Sequence, residues 1–112
     1  MSDIQELIDL LVKFRDDRDW GQFHDSKNLA LALSIEAAEL NELFLWKKDS
    51  ESKNIDRERL KEELADVFAY ALMLAERNNF SVSDIVKSKI QKNAEKYPVE
   101  ECRGSSAKYK ET

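Results

Sequence analysis

The chain has 112 residues, of which 42% are hydrophobic and 37% charged, with a formal net charge of −5. That is one domain's length, with enough apolar material for a core of modest stability that self-association would strengthen. The acidic balance argues against a nucleic-acid polymer as partner, the lone Cys102 excludes a disulfide framework and a thiolate metal cluster, and no apolar run approaches a membrane span.

Only two glycines and one proline occur, and Gly21, Pro98 and Gly104 fall where the hydrophobic pattern pauses. The long stretches between them are rich in Ala, Leu, Glu and Lys, the good helix formers. Ile4, Leu7, Ile8, Leu11, Val12 and Phe14 predict a first helix over about 3–19. A loop, Trp20-Gly-Gln-Phe-His-Asp-Ser26, follows, and Asp25 or Ser26 can cap the next helix. That second helix is expected over 27–48, a polar linker over 49–54 and a third helix over 56–79. Ser81 with Asp84 three residues later has the form of a capping box for a fourth helix, which ends near Tyr97 ahead of Pro98. Residues 99–112 lack periodicity and are expected to be a loop. The fold class is therefore all-α, a four-helix bundle, with a helical domain over 1–98 and a C-terminal tail over 99–112. The N-terminus has no basic stretch followed by an apolar one, so a cytoplasmic protein without a membrane partner is expected.

The chemistry sits on helices two and three. Glu36-Ala-Ala-Glu39 and Glu63-Leu-Ala-Asp66 each place two carboxylates three residues apart, on one helix face. Both pairs fall on or beside apolar stripes, the first with Leu33, Leu40 and Leu43, the second with Leu60, Val67, Tyr70 and Leu74. Two carboxylates 4 Å apart repel by about 4 kcal/mol at an effective dielectric near 20. Arg59 and Arg77 are each a turn or more away and cannot neutralise all four acids. A divalent ion can, and an all-oxygen donor set suits magnesium, with manganese as the alternative. A di-iron bundle needs Glu-x-x-His, and the only histidine, His24, lies in a loop. Magnesium commonly retains positions for water and phosphate oxygens, which points to phosphoryl chemistry. Either Glu39 or Glu63 could serve as general base. A single such pair is more often a salt-bridged, solvated face. Two pairs on neighbouring helices, both within apolar stripes, reverse that balance.

Other residues admit two readings. Trp20 and Trp46 can stack on a base or simply close the core. Tyr70 shares a stripe with Glu63 and Asp66. Lys89 and Asn93, four apart on helix four, can face phosphates or solvent. Arg103 and Lys108 can fold over phosphates or fray with the tail. His24 reads as a loop or capping residue.

Glu36-Ala-Ala-Glu-Leu-Asn-Glu-Leu-Phe-Leu-Trp46 and Glu62-Glu-Leu-Ala-Asp-Val-Phe-Ala-Tyr70 resemble the MazG-like all-α nucleotide pyrophosphohydrolases, in particular their dCTP pyrophosphatase branch. Arg18-Asp-Trp-Gly-Gln-Phe-His24, Asn28-Leu29, Ser88-Lys-Ile-Gln-Lys-Asn93, Lys96-Tyr-Pro98 and Arg103-Gly-Ser-Ser-Ala-Lys-Tyr109 extend the resemblance over nearly the whole chain. It implies hydrolysis of a nucleoside triphosphate, dCTP or a modified dCTP, between its α- and β-phosphates. The products would be a monophosphate and pyrophosphate, in the service of clearing the nucleotide pool. It implies Glu36, Glu39, Glu63 and Asp66 as metal ligands, with Trp20, Trp46 and Tyr70 at the nucleoside and Lys89 and Asn93 near the phosphates or base. It also implies a homodimer or homotetramer with sites shared between subunits. Leu11 departs from the pattern, standing where some relatives place a histidine facing the nucleotide. Two rival functions are a non-catalytic nucleotide-binding regulator and a helical interaction module. A module has no need of charge on its core faces.

Overall fold

A computed structural model describes residues 2–48 and 54–105. Among these residues every regular element is helical: α1 (Asp3–Asp17), a 3-10 turn (Trp20–Phe23), α2 (Ser26–Glu42), α3 (Arg57–Arg77), α4 (Val82–Lys96) and a short α5 (Val99–Cys102). No helix is long and apolar enough to cross a membrane.

Each long helix opens on a side-chain cap, which satisfies an otherwise orphaned amide. Ser2 Oγ accepts from the Gln5 amide at 3.1 Å, Asp25 Oδ1 from Asn28 at 2.8 Å, and Asp56 Oδ1 from Glu58 at 3.0 Å. Ser81 Oγ accepts from Asp84 at 3.3 Å, as the sequence spacing predicts. Of the two candidates to cap α2, Asp25 takes the role. Ser26 instead accepts a hydrogen bond from Asn78 Nδ2 at 3.1 Å, tying the start of α2 to the end of α3.

The chain forms two compact units, Met1–Asn79 and Phe80–Thr112. In the first, α2 and α3 pack along each other and α1 lies against α3. Ser26 meets Asn78 at one end, and Glu39 meets Glu63 further along, so α2 and α3 run antiparallel. The buried apolar side chains are Ile8, Leu29, Leu43, Leu72, Met73 and Ala75. Burying one such leucine or isoleucine contributes about 1.5–3 kcal/mol. Arg15, on α1, locks onto α3 through Glu76 at 3.1 Å and also binds Asp16 at 2.9 Å, with only 16% of its side chain exposed. In the second unit α4 presents Ile85, Val86 and Ile90 to solvent.

Two boundaries differ from the sequence expectation. The second helix was expected to reach Lys48, but α2 ends at Glu42. The backbone tightens there into three-residue hydrogen bonds, Phe44 N–H to Asn41 O and Leu45 N–H to Glu42 O, and Trp46 adopts a left-handed φ of 63°. The run Leu43-Phe44-Leu45-Trp46 is apolar on every side, so no single buried stripe continues the helix. The tail expected to be a loop opens with α5, because Pro98 starts a turn whose carbonyl accepts from Glu101 and Cys102. Glu100 and Glu101 in that first turn suit the positive helix end. The expected linker over 49–54 lies, apart from Asn54, outside the described residues, as does Lys108.

Candidate active site

The antiparallel pairing of α2 and α3 brings Glu36, Glu39 and Glu63 together, with one carboxylate oxygen from each lying within 4.8 Å of the others. One oxygen on each of Glu36 and Glu63 is buried and has no hydrogen-bond partner. The ion pairs among the described residues are Lys13–Asp17, Arg15–Asp16, Arg15–Glu76 and Lys61–Glu58, and all three cluster acids stand outside them.

The electrostatics follow from that crowding. Glu39 holds its proton more tightly than an ordinary carboxyl, chiefly because it shares a hydrogen bond with Glu36 and is repelled by it. Glu63 shifts the same way, first through desolvation, then through its hydrogen bond and repulsion with Glu39 and the charge of Asp66, with Arg59 opposing. Tyr70 is raised by burial first, then by Glu36, Asp66 and Glu39. Glu36 and Glu63 are half-buried and Glu39 is exposed; carboxylates this crowded repel one another, and a cation between them would relieve that repulsion. Three hard oxygens without nitrogen or sulfur fit magnesium or manganese.

Asp66 is not one of the converging set. It lies about one turn further along α3 and lines a pocket of about 230 Å³ with Leu11, Phe14, Trp20, His24, Ala69, Tyr70 and Met73. This volume is below the ~300–1,000 Å³ of drug-sized ligand sites, closer to a single heterocycle than to a whole nucleotide. Trp20 and Tyr70, far apart in sequence, are thus brought into one pocket. Trp46 is not part of it. It stands beyond the C-terminal end of α2, 92% exposed. Its left-handed backbone is unusual for a bulky residue and marks local strain. Lys89 lies on α4 beside Asp84, Ile85, Ser88 and Lys92, and Asn93 is one turn further along the same helix.

Sequence reasoning did not place His24 at the site. Its Nδ1 is buried without a hydrogen-bond partner, and its ring lines the pocket with Trp20 and Tyr70. The signal available was its position two residues ahead of a capped helix and four after a tryptophan. Leu11, at the position where the resemblance puts a residue facing the nucleotide, and Phe14, read only as part of the first helix's apolar pattern, form one wall of the same pocket.

A profile of the MazG-like family matches residues 31–112. The chain belongs to the MazG-like family. This MazG-like chain is 41% identical over 111 residues to the dCTP pyrophosphatase 1 of Rattus norvegicus, covering 95% of the chain and 65% of that protein. It is likewise 41% identical over 113 residues to the dCTP pyrophosphatase 1 of Homo sapiens, across 96% of the chain and 66% of that protein. The chain thus spans about two thirds of the length of these curated relatives. Among solved structures it is similar to a pyrophosphatase from Archaeoglobus fulgidus DSM 4304, with a TM-score of 0.83 and 39% identity over 88% of this chain and 94% of that one. The fold is therefore that of a solved pyrophosphatase, and the acidic cluster falls inside the family match.

Proposed function

We propose that this chain is a magnesium-dependent nucleoside triphosphate pyrophosphohydrolase, cytoplasmic, that cleaves dCTP or a modified dCTP to the monophosphate and pyrophosphate. The observation that carries the reading is the convergence of Glu36, Glu39 and Glu63 with two buried, unpartnered oxygens and no cationic side chain paired to them. Family membership and the likeness to two dCTP pyrophosphatases support the substrate. Residues 1–98 would form the hydrolase domain and 99–112 a tail.

Glu36, Glu39 and Glu63 would hold the divalent ion, with Asp66 adjacent. When bound, the ion would neutralise phosphate charge and lower the pKa of a water. The carboxylate of Glu39 or Glu63 accepts the proton of the attacking water. The bond between α- and β-phosphate breaks, and the bridging oxygen leaves with pyrophosphate. Trp20 and Tyr70 hold the base, and Leu11, Phe14 and Met73 keep water from it. Lys89 and Asn93 would meet the phosphates or the base.

The assembly would be a homodimer or homotetramer with shared sites. Trp46, exposed beyond the end of α2 and outside the pocket that Trp20 lines, would reach a base from a second copy. Leu7, Leu10, Phe14 and Phe68 line an apolar groove of about 550 Å³ that a second copy would fill.

The test is pyrophosphate release from dCTP with magnesium, with and without EDTA, for wild type and Glu39→Gln. Release that needs both the metal and Glu39 is expected, with a loss of about 10²-fold or more in the variant. Magnesium-dependent dCTP binding without release would instead identify a regulator. Sedimentation at several concentrations tests the assembly.

A further inference from the structure

We propose that Arg18 is a positioning residue that fixes the Trp20 ring as the wall on which a nucleobase stacks; this rests on the nucleotide-hydrolase reading above. Trp20 stands on a four-residue turn and is 44% exposed. An aromatic so placed would ordinarily sample several rotamers, and a stacking wall that must be ordered on binding wastes affinity.

The structure restrains it through two neighbours, Arg18 and Phe14. The Arg18 guanidinium carbon lies 3.7 Å from the centroid of Phe14 and 5.9 Å from that of Trp20. The Phe14 ring meets Trp20 edge-on at 5.8 Å and an interplanar angle of 70°, a favoured aromatic geometry. The guanidinium is itself held, because Nη1 donates to the Phe14 carbonyl oxygen at 2.9 Å. Phe14 and Arg18 are four residues apart, so their proximity is set by the end of α1. Among the described residues Arg18 forms no ion pair, which leaves its charge directed at the two rings.

The backbone on either side is braced as well. Gln22 Nε2 donates to Asp19 O at 3.0 Å and to Asp19 Oδ2 at 3.2 Å, and Asn28 Nδ2 donates to Phe23 O at 3.1 Å. The cation lies over the Trp20 ring, and the same ring lines the pocket with Leu11, Tyr70 and Met73, where a base would stack on it. Arg18 itself does not line that pocket, so its action passes through Trp20.

The test uses the full chain with magnesium and dCTP, comparing wild type, Arg18→Met and Arg18→Lys, with inorganic pyrophosphate as inhibitor to probe the phosphate end. Exposed cation–π contacts of this kind convert to about a two- to fivefold change in affinity. Arg18→Met is expected to raise KM by that factor with kcat and pyrophosphate inhibition unchanged, and Arg18→Lys to recover most of the loss. In a Trp46→Phe background Trp20 is the only tryptophan, and Arg18→Met should make its fluorescence more accessible to acrylamide. Unchanged KM and unchanged quenching beside an active wild type overturn the proposal. So does a parallel shift of KM, pyrophosphate inhibition and Tm, which would mean general loosening. If folded, magnesium-loaded wild type releases no pyrophosphate, the hydrolase reading falls and takes this proposal with it, a failure visible before any variant is made.

Discussion

The two ends of the α2–α3 pair treat charge in opposite ways. Near the start of α2 and the end of α3, Glu76 is answered by Arg15 at 3.1 Å and Asn78 by Ser26 at 3.1 Å. Near the end of α2, Glu36, Glu39 and Glu63 crowd together with two buried oxygens unanswered. A helix pair built only for stability would have matched both ends. The first junction holds the helices in register. The second leaves a cluster of repelling carboxylates that could coordinate a divalent ion.

This contrast should be sharpest when magnesium is added. A ligand at 100 times its Kd stabilises the folded state by about 2.7 kcal/mol. Magnesium is therefore expected to raise the Tm of wild type well above that of Glu63→Gln, measured by thermal melting at matched ion concentration. Without the ion the order should invert, with Glu63→Gln the more stable, because one of the repelling charges is gone. Equal melting of the two proteins in EDTA and in magnesium would sink the idea that the cluster is a metal site.

Breaking the opposite end should have a smaller effect of a different kind. Arg15→Met removes a partly buried ion pair between α1 and α3, with an expected cost of about 1–2 kcal/mol. Denaturant titration would measure it, and the magnesium-induced gain in Tm should be unaltered. A variant that lost that gain would couple the two ends and erase the distinction drawn between them.

The smallest effect concerns protons. Glu39 and Glu63 bind protons more tightly in the folded chain than an ordinary carboxyl, so the folded state takes up more protons than the unfolded one. Their penalty is full above the raised pKa values. It is relieved as pH falls through them and is gone below the unfolded value near ~4.3. In EDTA, lowering the pH from neutral toward that range should therefore raise the Tm of wild type relative to the Glu39→Gln, Glu63→Gln double variant. In magnesium the same protons compete with the ion, and the dependence should reverse.

Much of this was legible in the sequence, for local reasons. The i, i+3 acids within apolar stripes foretold that α2 and α3 would bring charge inward, and Glu36, Glu39 and Glu63 do converge. Asp25, Asp56 and Ser81 cap helices close to where composition placed them. What escaped depends on tertiary geometry or on very short elements. Asp66 obeys the same spacing as Glu39 yet lies outside the triad, because only the crossing of α2 and α3 decides which turn faces which. Val99–Cys102 is too short to show a period. The apolar run after Glu42 looks helical until Trp46 turns left-handed. His24 had no periodic pattern to betray its buried nitrogen, whereas Phe14 and Arg18, four apart at the C-terminal end of α1, carried a signal that pattern-reading for core residues passes over.

The open groove between α1 and α3 has a consequence for the chain's life in a cell. If copies cover that surface, an unassembled chain displays to chaperones and proteases the features of an unfinished fold. Its lifetime would then depend on finding a sibling, and halving synthesis would remove more than half of the working sites. Supply would be thresholded at assembly, before any substrate is met.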